Sequence, residues 1–344
     1  MKMNKKAVLS ISIFFISGLL AVMLSNYKGD AWEEIIRKFY YQVATHGSPP
    51  VEYTVSVDSA GIPVVSYTAH NAVRAGEKYN PTTIALYAIE YAGHVKEKND
   101  SLSRKEFFNC IQWLEENITR RDGYALYEFN WQQPFYPAVK APWRSGLTSG
   151  KAIEAFTAAY EISGDVHYLN LARLLLRGFF QPIQNGGFTY IDTNGWWYEE
   201  YADKGLNTPR VLNGHVYAFL GVRRFWLVTK EDSAAFIVQK GTEAVVNTLA
   251  NYDVGDGWSY YDGLHKRADK KYHKIGVELM QKLWVITGKP VFLSYYKKWN
   301  TPLQRPYLVR IIKERNRSGM ALFLLVELTC LLALFVTARV LRIV

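Results

Sequence analysis

The sequence predicts a mainly α fold, in which a helical hairpin recurs about four times beside small β-hairpins, with an apolar helix at each end. Three observations carry this. The phrases AFTAAYEISGDVHYL (155–169), AFLGVRRFWLVTKED (218–232) and LMQKLWVITGKPVFL (279–293) resemble one another at intervals of about 60 residues, a period that marks a repeated supersecondary unit. Within each unit a tight turn, SGD, TKED or TGKP, joins two helical stretches, while long aromatic loops (121–147, 181–210, 251–272) join one unit to the next. Finally, residues 7–24 and 320–338 are apolar runs close to the length that crosses a bilayer. Hairpins of this kind stack into a solenoid or close into an (α/α) toroid.

The elements follow in chain order. Residues 7–24 lie behind Lys2, Lys5 and Lys6, so they read as a first span with a cytoplasmic N-terminus, the alternative being a removed leader. A linker and β-hairpin region is expected over 28–78, because Val51, Tyr53, Val55 and Val57 alternate with polar residues before a Ser-Ala-Gly turn and a second strand. Asn80-Pro81 starts a helix, with Ile84, Tyr87, Ala88 and Tyr91 on one face. Ser103 with Glu106 reads as a capping box for the next helix. Helices are then expected over 149–162, after the cap Asp165, and over 211–229, 233–250, 273–286 and 291–299. The second apolar run, within a C-terminal segment 306–344, holds Glu327, a costly residue in lipid that calls for a partner helix or a route to water. Arg310, Lys313, Arg315 and Arg317 precede it, Arg339 and Arg342 follow it, and by that charge count alone it favours the opposite orientation; the first helix is taken to decide. Sequons at Asn99, Asn117 and Asn316 suit an extracytoplasmic or lumenal domain.

The chain has 344 residues and a formal net charge of +10. A basic surface favours anionic partners. Without an RNP, zinc-finger or helix-turn-helix signature, an acidic polymer or anionic lipid is expected rather than nucleic acid. Cys110 and Cys330 offer neither a disulfide framework nor metal spacing. HExxH, GxSxG, Walker and GxGxxG motifs are absent from the sequence, and DVGDG lacks the remaining ligands of an EF-hand.

Candidate chemistry collects in three loops. In FTYIDTNGWWYEEY (188–201), Asn194-Gly195 between aromatic runs signals a hairpin. On a regular strand Glu200 and Tyr201 would face opposite sides, so they reach one substrate only if the strand ends or bends there. The second loop, YDVGDGWSYYDGLHKRADKKYHK (252–274), brings Tyr260, Tyr261 and Asp262 before a basic run that reaches Tyr272 and His273. The third, FYPAVKAPWRSGLTSGK (135–151), places Lys140, Trp143 and Arg144 before a helix N-terminus, where cations and the helix dipole suit carboxylates. Taken singly, these aromatics are more often packing between helix ends, and His273 more often a cap or surface residue. Together, rings, cations and acids suit an acidic sugar.

The phrases GIPVV, YNPTTIALYAIEY, APWRSGLTSGKAI, WYEEY followed by VLNG, YDVGDGWSYYD and KYH resemble, in order and over roughly residues 60–300, the D-glucuronyl C5-epimerase family. The resemblance implies an (α/α) barrel over 79–305, here incomplete and lacking the β-barrel of animal members. It implies conversion of D-glucuronate to L-iduronate in an acidic polysaccharide, with no cofactor. It assigns catalytic roles to Glu200, Tyr201, Tyr261 (or Tyr260) and Tyr272. Expected substrate contacts are Tyr260, Lys140, Trp143, Arg144, Trp197, Asn213, His265, Arg267 and His273. One departure stands out: where the family has arginine in YDLRH, this chain reads YDGLH, leaving His265, Lys266 or Arg267 to replace it. A cation is expected to depress the pKa of a catalytic tyrosine. A polysaccharide lyase, a glycoside hydrolase using Glu200 and Asp262, and a non-catalytic carbohydrate-binding protein are the alternatives; a homodimer is a possible assembly.

Overall fold

The computed structural model describes residues 5–45, 53–67, 75–205 and 208–341; Lys2, Val51 and Arg342 lie outside these. The chain divides into two compact units, residues 51–300 and a second formed by 1–50 with 301–344.

The second unit contains α1 (Lys5–Thr45), α10 (Tyr307–Lys313) and α11 (Arg317–Val340). Residues 28–45, read from sequence as linker, continue α1 without a break. Both α1 and α11 contain stretches long and apolar enough to cross a membrane. They run antiparallel: Glu33 accepts hydrogen bonds from Asn316 and Ser318, whereas Ser17, earlier in α1, donates to Glu327, later in α11, at 2.7 Å. The acid expected to need a partner helix therefore has one. Around Glu33 a polar clamp forms: Tyr307 N–H donates to Asn26, Arg310 pairs with Asp30, and Gly29 leaves room for the Tyr307 ring.

The larger unit opens with a three-stranded antiparallel sheet, β1 (Tyr53–Val57), β2 (Pro63–Tyr67) and β3 (Gly76–Lys78), in that order. Four helical hairpins follow: α2 (Pro81–Lys98) with α3 (Ser101–Glu116), α4 (Gly146–Ser163) with α5 (Val166–Gly178), α6 (Leu212–Thr229) with α7 (Asp232–Thr248), and α8 (Lys270–Thr287) with α9 (Pro290–Leu303). Helices α2, α4, α6 and α8 pack on one another in succession as an inner layer, and α3, α5 and α7 each pack on the hairpin partner outside. This is the incomplete (α/α) barrel architecture that the family resemblance implies, one of the two arrangements the repeat leaves open.

Local chemistry sets the helix ends. Asn80, Asp100, Ser145, Asp165 and Asp269 each accept a backbone N–H of the first turn they precede. The Ser103–Glu106 box is not formed: Asp100 caps α3 three residues earlier, and the Ser103 hydroxyl donates to that Asp100 carboxylate. A carboxylate at the cap outcompetes a hydroxyl placed inside the first turn. Between α4 and α6 the backbones nearly touch. A Cβ on Gly150 would stand 2.6 Å from Ala218 Cα, and one on Gly221 would meet the Gly150 backbone. Alanine, the better helix former, is therefore excluded at both positions.

The two ends of the hairpins differ. Tight left-handed caps at Gly164, Lys230 and Gly288 close one end. The long connections at the other carry β4 (Thr119–Arg121), β5 (Tyr124–Leu126), β6 (Glu128–Phe129), β7 (Trp143–Arg144), β8 (Thr189–Asp192) and β9 (Gly195–Tyr198), as three antiparallel pairs. The β8–β9 hairpin forms as the sequence predicts, with Thr193-Asn194 as its two-residue loop and Gly195, at φ +129°, opening β9.

Candidate active site

Three of the long loops meet at one pocket of about 510 Å³, counted to its open mouth, lined by Phe135, Tyr201, Tyr261, Lys266, Arg267, Asp269 and Tyr272. Three of the four side chains assigned catalytic roles thus share one cavity. The fourth, Glu200, is buried directly behind Tyr201.

Glu200 and Tyr201 come together because β9 ends at Tyr198. Glu199 N–H still donates to Phe188, and Gly146 N–H to Glu199; the chain then bends before Ala202 pairs with Arg144. The bend breaks the two-residue alternation. Glu200 lies under the first turn of α6, against Gly214, and burial pushes its carboxyl up to about 7, a rise that the adjacent Tyr201 hydroxyl partly offsets. Glu199 is fully buried on the other side; it accepts from Arg210 N–H at 3.2 Å, and burial pushes it up to about 8. Burial likewise raises Tyr201 well above the ordinary phenol value, with the Glu200 charge adding to it. The expected depression of this tyrosine is therefore not found: desolvation dominates.

Tyr261 and Tyr272 form an edge-to-face pair, ring centroids 4.7 Å apart. Tyr272 sits in the first turn of α8, its N–H bonded to Asp269. Tyr261 is held by Lys266, whose carbonyl accepts its N–H at 2.7 Å, and its own carbonyl accepts Leu212 N–H at the start of α6. Tyr261, which the resemblance favours over Tyr260 for the catalytic role, lines the pocket; Tyr260, the expected substrate contact, does not and packs on His265 at 4.9 Å.

Of the candidates to replace the family arginine, Lys266 and Arg267 line the pocket and His265 does not. His265 is exposed on a left-handed residue, φ +61°, which turns its ring outward. Arg267 pairs with Asp256 at 2.8 Å and stacks over Trp258. Lys266 Nζ stands 5.7 Å from the Tyr261 ring centroid.

Several expected substrate contacts are structural supports instead. The Lys140 ammonium donates to Pro137, while its N–H donates to Asp203. Trp143 stacks on Phe129 at 3.8 Å and meets Tyr201 edge-on, one layer beneath the pocket. Arg144, 6% exposed, is engaged by Glu128. Trp197 is buried between His215 and Tyr252. Asn213, half-buried in the first turn of α6, does not line the pocket. His273 is fully buried: Nδ1 accepts Ser259 N–H at 3.1 Å and Nε2 faces Trp299 O at 2.9 Å, so it is a scaffold imidazole, its pKa lowered by burial. His215 repeats the arrangement one hairpin earlier, with Tyr198 N–H on Nδ1, Gly241 O at Nε2 and a stacked tryptophan.

Phe135 and Asp269 in the pocket wall, and Tyr136 packed against Tyr201, are not legible as site residues in the sequence. A lone Phe, a Tyr before Pro and a helix cap have no sequence signature of a site. Among the described residues no cluster of three His, Cys, Asp or Glu is placed to hold a metal ion.

The structure is thus a helical-hairpin domain that gathers tyrosines, a buried carboxylate and cations around one pocket. The family described as D-glucuronyl C5-epimerase C-terminus matches residues 121–301, just over half of the chain, and the chain belongs to that family. An uncharacterized protein of Methanocaldococcus jannaschii is 35% identical over 191 residues, covering 54% of this chain and 59% of the relative. The match thus spans less than two thirds of that relative's length. Among solved structures, a sugar epimerase from a ruminal bacterium aligns with TM-score 0.47 at 16% identity, covering 65% of this chain and 59% of that one. A family 76 glycoside hydrolase from Bacteroides thetaiotaomicron aligns with TM-score 0.43 at 15% identity, covering 64% and 46%.

Proposed function

We propose that the protein epimerises uronosyl residues of an acidic polysaccharide at C5, converting D-glucuronate to L-iduronate. The observation that carries this is the pocket itself: Tyr201, backed by buried Glu200, shares it with the Tyr261–Tyr272 pair and with Lys266 and Arg267.

The C5 hydrogen is acidic only because it lies α to a carboxylate, and removing it adds charge to a group that is already an anion. Lys266 and Arg267 offset that charge where it develops, as preorganised donors do at other enolate-like centres. On one face the Tyr201 oxygen takes the C5 proton while its own passes to Glu200. A carboxyl with a pKa near 7 is about half ionised at neutral pH and suited to both directions of transfer. On the other face Tyr261 or Tyr272 returns a proton to C5, and exchange with water resets both groups. Residues 79–305 form the catalytic part in this reading.

We further infer that α1 and α11 anchor the chain in a membrane with the pocket on the extracytoplasmic or lumenal side. The Ser17–Glu327 bond supports a retained α1, since a removed leader would leave Glu327 unpartnered in lipid.

The test is incubation of the full chain in D2O with a non-sulfated glucuronate polymer such as heparosan, followed by NMR. Deuterium at C5 together with new iduronate signals is the expected result. An unsaturated uronate would mean a lyase. Binding without exchange on several uronate polymers would overturn the enzymatic reading.

A further inference from the structure

We propose that Tyr136 is a positioning residue that fixes the cationic wall of the pocket through Asp262. Its hydroxyl donates to Asp262 Oδ2 at 2.5 Å, across 126 residues of chain. Asp262 is fully buried, and its other oxygen accepts Leu264 N–H at 3.1 Å and Lys266 N–H at 3.0 Å. The Lys266 carbonyl in turn holds Tyr261 N–H. One carboxylate therefore closes residues 261–266 into a fixed turn that presents Tyr261 at one end and Lys266 at the other.

Tyr136 is itself rigidly mounted. Gln133, 1% exposed, accepts the N–H groups of both Phe135 and Tyr136. Gln132 ties down the Pro137 and Val139 carbonyls, and Lys140 N–H is bonded to Asp203. The Tyr136 ring also packs against Tyr201, centroids 5.3 Å apart. The same side chain thus touches Tyr201 on one wall and, through Asp262, sets Lys266 and Tyr261 on the other. Burial and the Asp262 charge raise the Tyr136 pKa, so the hydroxyl stays a donor.

This inference rests on the epimerase reading for its kinetic consequence, but not for its structural one. Hydrogen–deuterium exchange on the full chain in detergent tests the latter. Tyr136→Phe keeps the ring and removes the bond; it is expected to speed amide exchange over 262–268 at least about tenfold. Asp262→Asn keeps an acceptor for both amides and a polar partner for Tyr136, and is expected to retain most of the protection. In the C5-exchange assay, Tyr136→Phe is expected to lower kcat/KM about 10–100-fold, the scale of a misplaced catalytic wall. A merely stabilising bond would lower Tm and leave kcat/KM unchanged. Wild-type amide protection over 262–268 in Tyr136→Phe overturns the proposal. Lack of C5 exchange by the wild-type chain would instead overturn the epimerase reading, while amide exchange still decides the role of Tyr136.

Discussion

The Glu200 side chain lies on the backbone of Gly214, in the first turn of α6, so closely that a Cβ there would stand 2.7 Å from Glu200 Cβ and closer still to Oε2. The glycine of VLNG thus makes the space in which the buried carboxyl sits. Gly214→Ala improves helix propensity by about 1 kcal/mol yet must displace Glu200 from behind Tyr201. We expect C5 exchange to fall at least about 100-fold with the fold intact by circular dichroism. Unchanged exchange would show that the placement of Glu200 is immaterial.

Because burial sets the Glu200 carboxyl at about 7, the C5-exchange rate should rise with pH and level off above that value. Glu200→Gln should abolish this limb along with most of the rate. A flat profile from pH 5 to 8 in the wild type would remove Glu200 from the proton path.

Glu199 and Glu200 both bind a proton more tightly in the folded chain than in the unfolded one. Such groups contribute stability below about pH 4.5 that is lost as pH rises through 7 and 8. The buried His215, lowered to about 3, works the other way, but only below its unfolded value near 6.5. Urea midpoints should therefore fall from pH 6.5 to 8. Glu199→Gln should be the more stable chain at pH 8.5, by roughly 2–4 kcal/mol, and the gap should close toward pH 4.5. A gap independent of pH would mean that Glu199 is not buried as described.

His273→Ala and His215→Ala each leave a buried N–H and a buried carbonyl without their imidazole. Both should cost about 2–4 kcal/mol in urea unfolding. If His273 served the substrate instead, its loss would change kcat/KM with stability preserved.

The Ser17–Glu327 contact predicts that cysteines at 17 and 327, in a chain with Cys110 and Cys330 replaced by serine, are joined within one polypeptide by a short thiol cross-linker in membranes. Absence of the cross-link, or loss of residues 1–27 from the mature chain, would refute a retained antiparallel pair.

The sequence by itself determined the hairpin repeat, the tight turns and the apolar ends. Helical periodicity, Asn and Asp caps and Gly turns act within a few residues, so they are written locally. Which of the aromatic residues face a site was not local. The family's Tyr-Asp pair favours Tyr261 over Tyr260, but only the bonds of Tyr261 to the Lys266 carbonyl and Leu212 N–H fix which ring lines the pocket. His273 reads as a cap, a surface residue or a substrate contact until Ser259 and Trp299 enclose it. Arg144 reads as a substrate cation until Glu128 engages it. Only the tertiary structure decided these, and it also joined Tyr136 to Asp262 and set Glu200 on Gly214. These contacts join segments up to 126 residues apart, and none of the His273, Arg144, Glu200 and Tyr136 pairings spans fewer than 14; at that range the spacing of residue types carries no geometry.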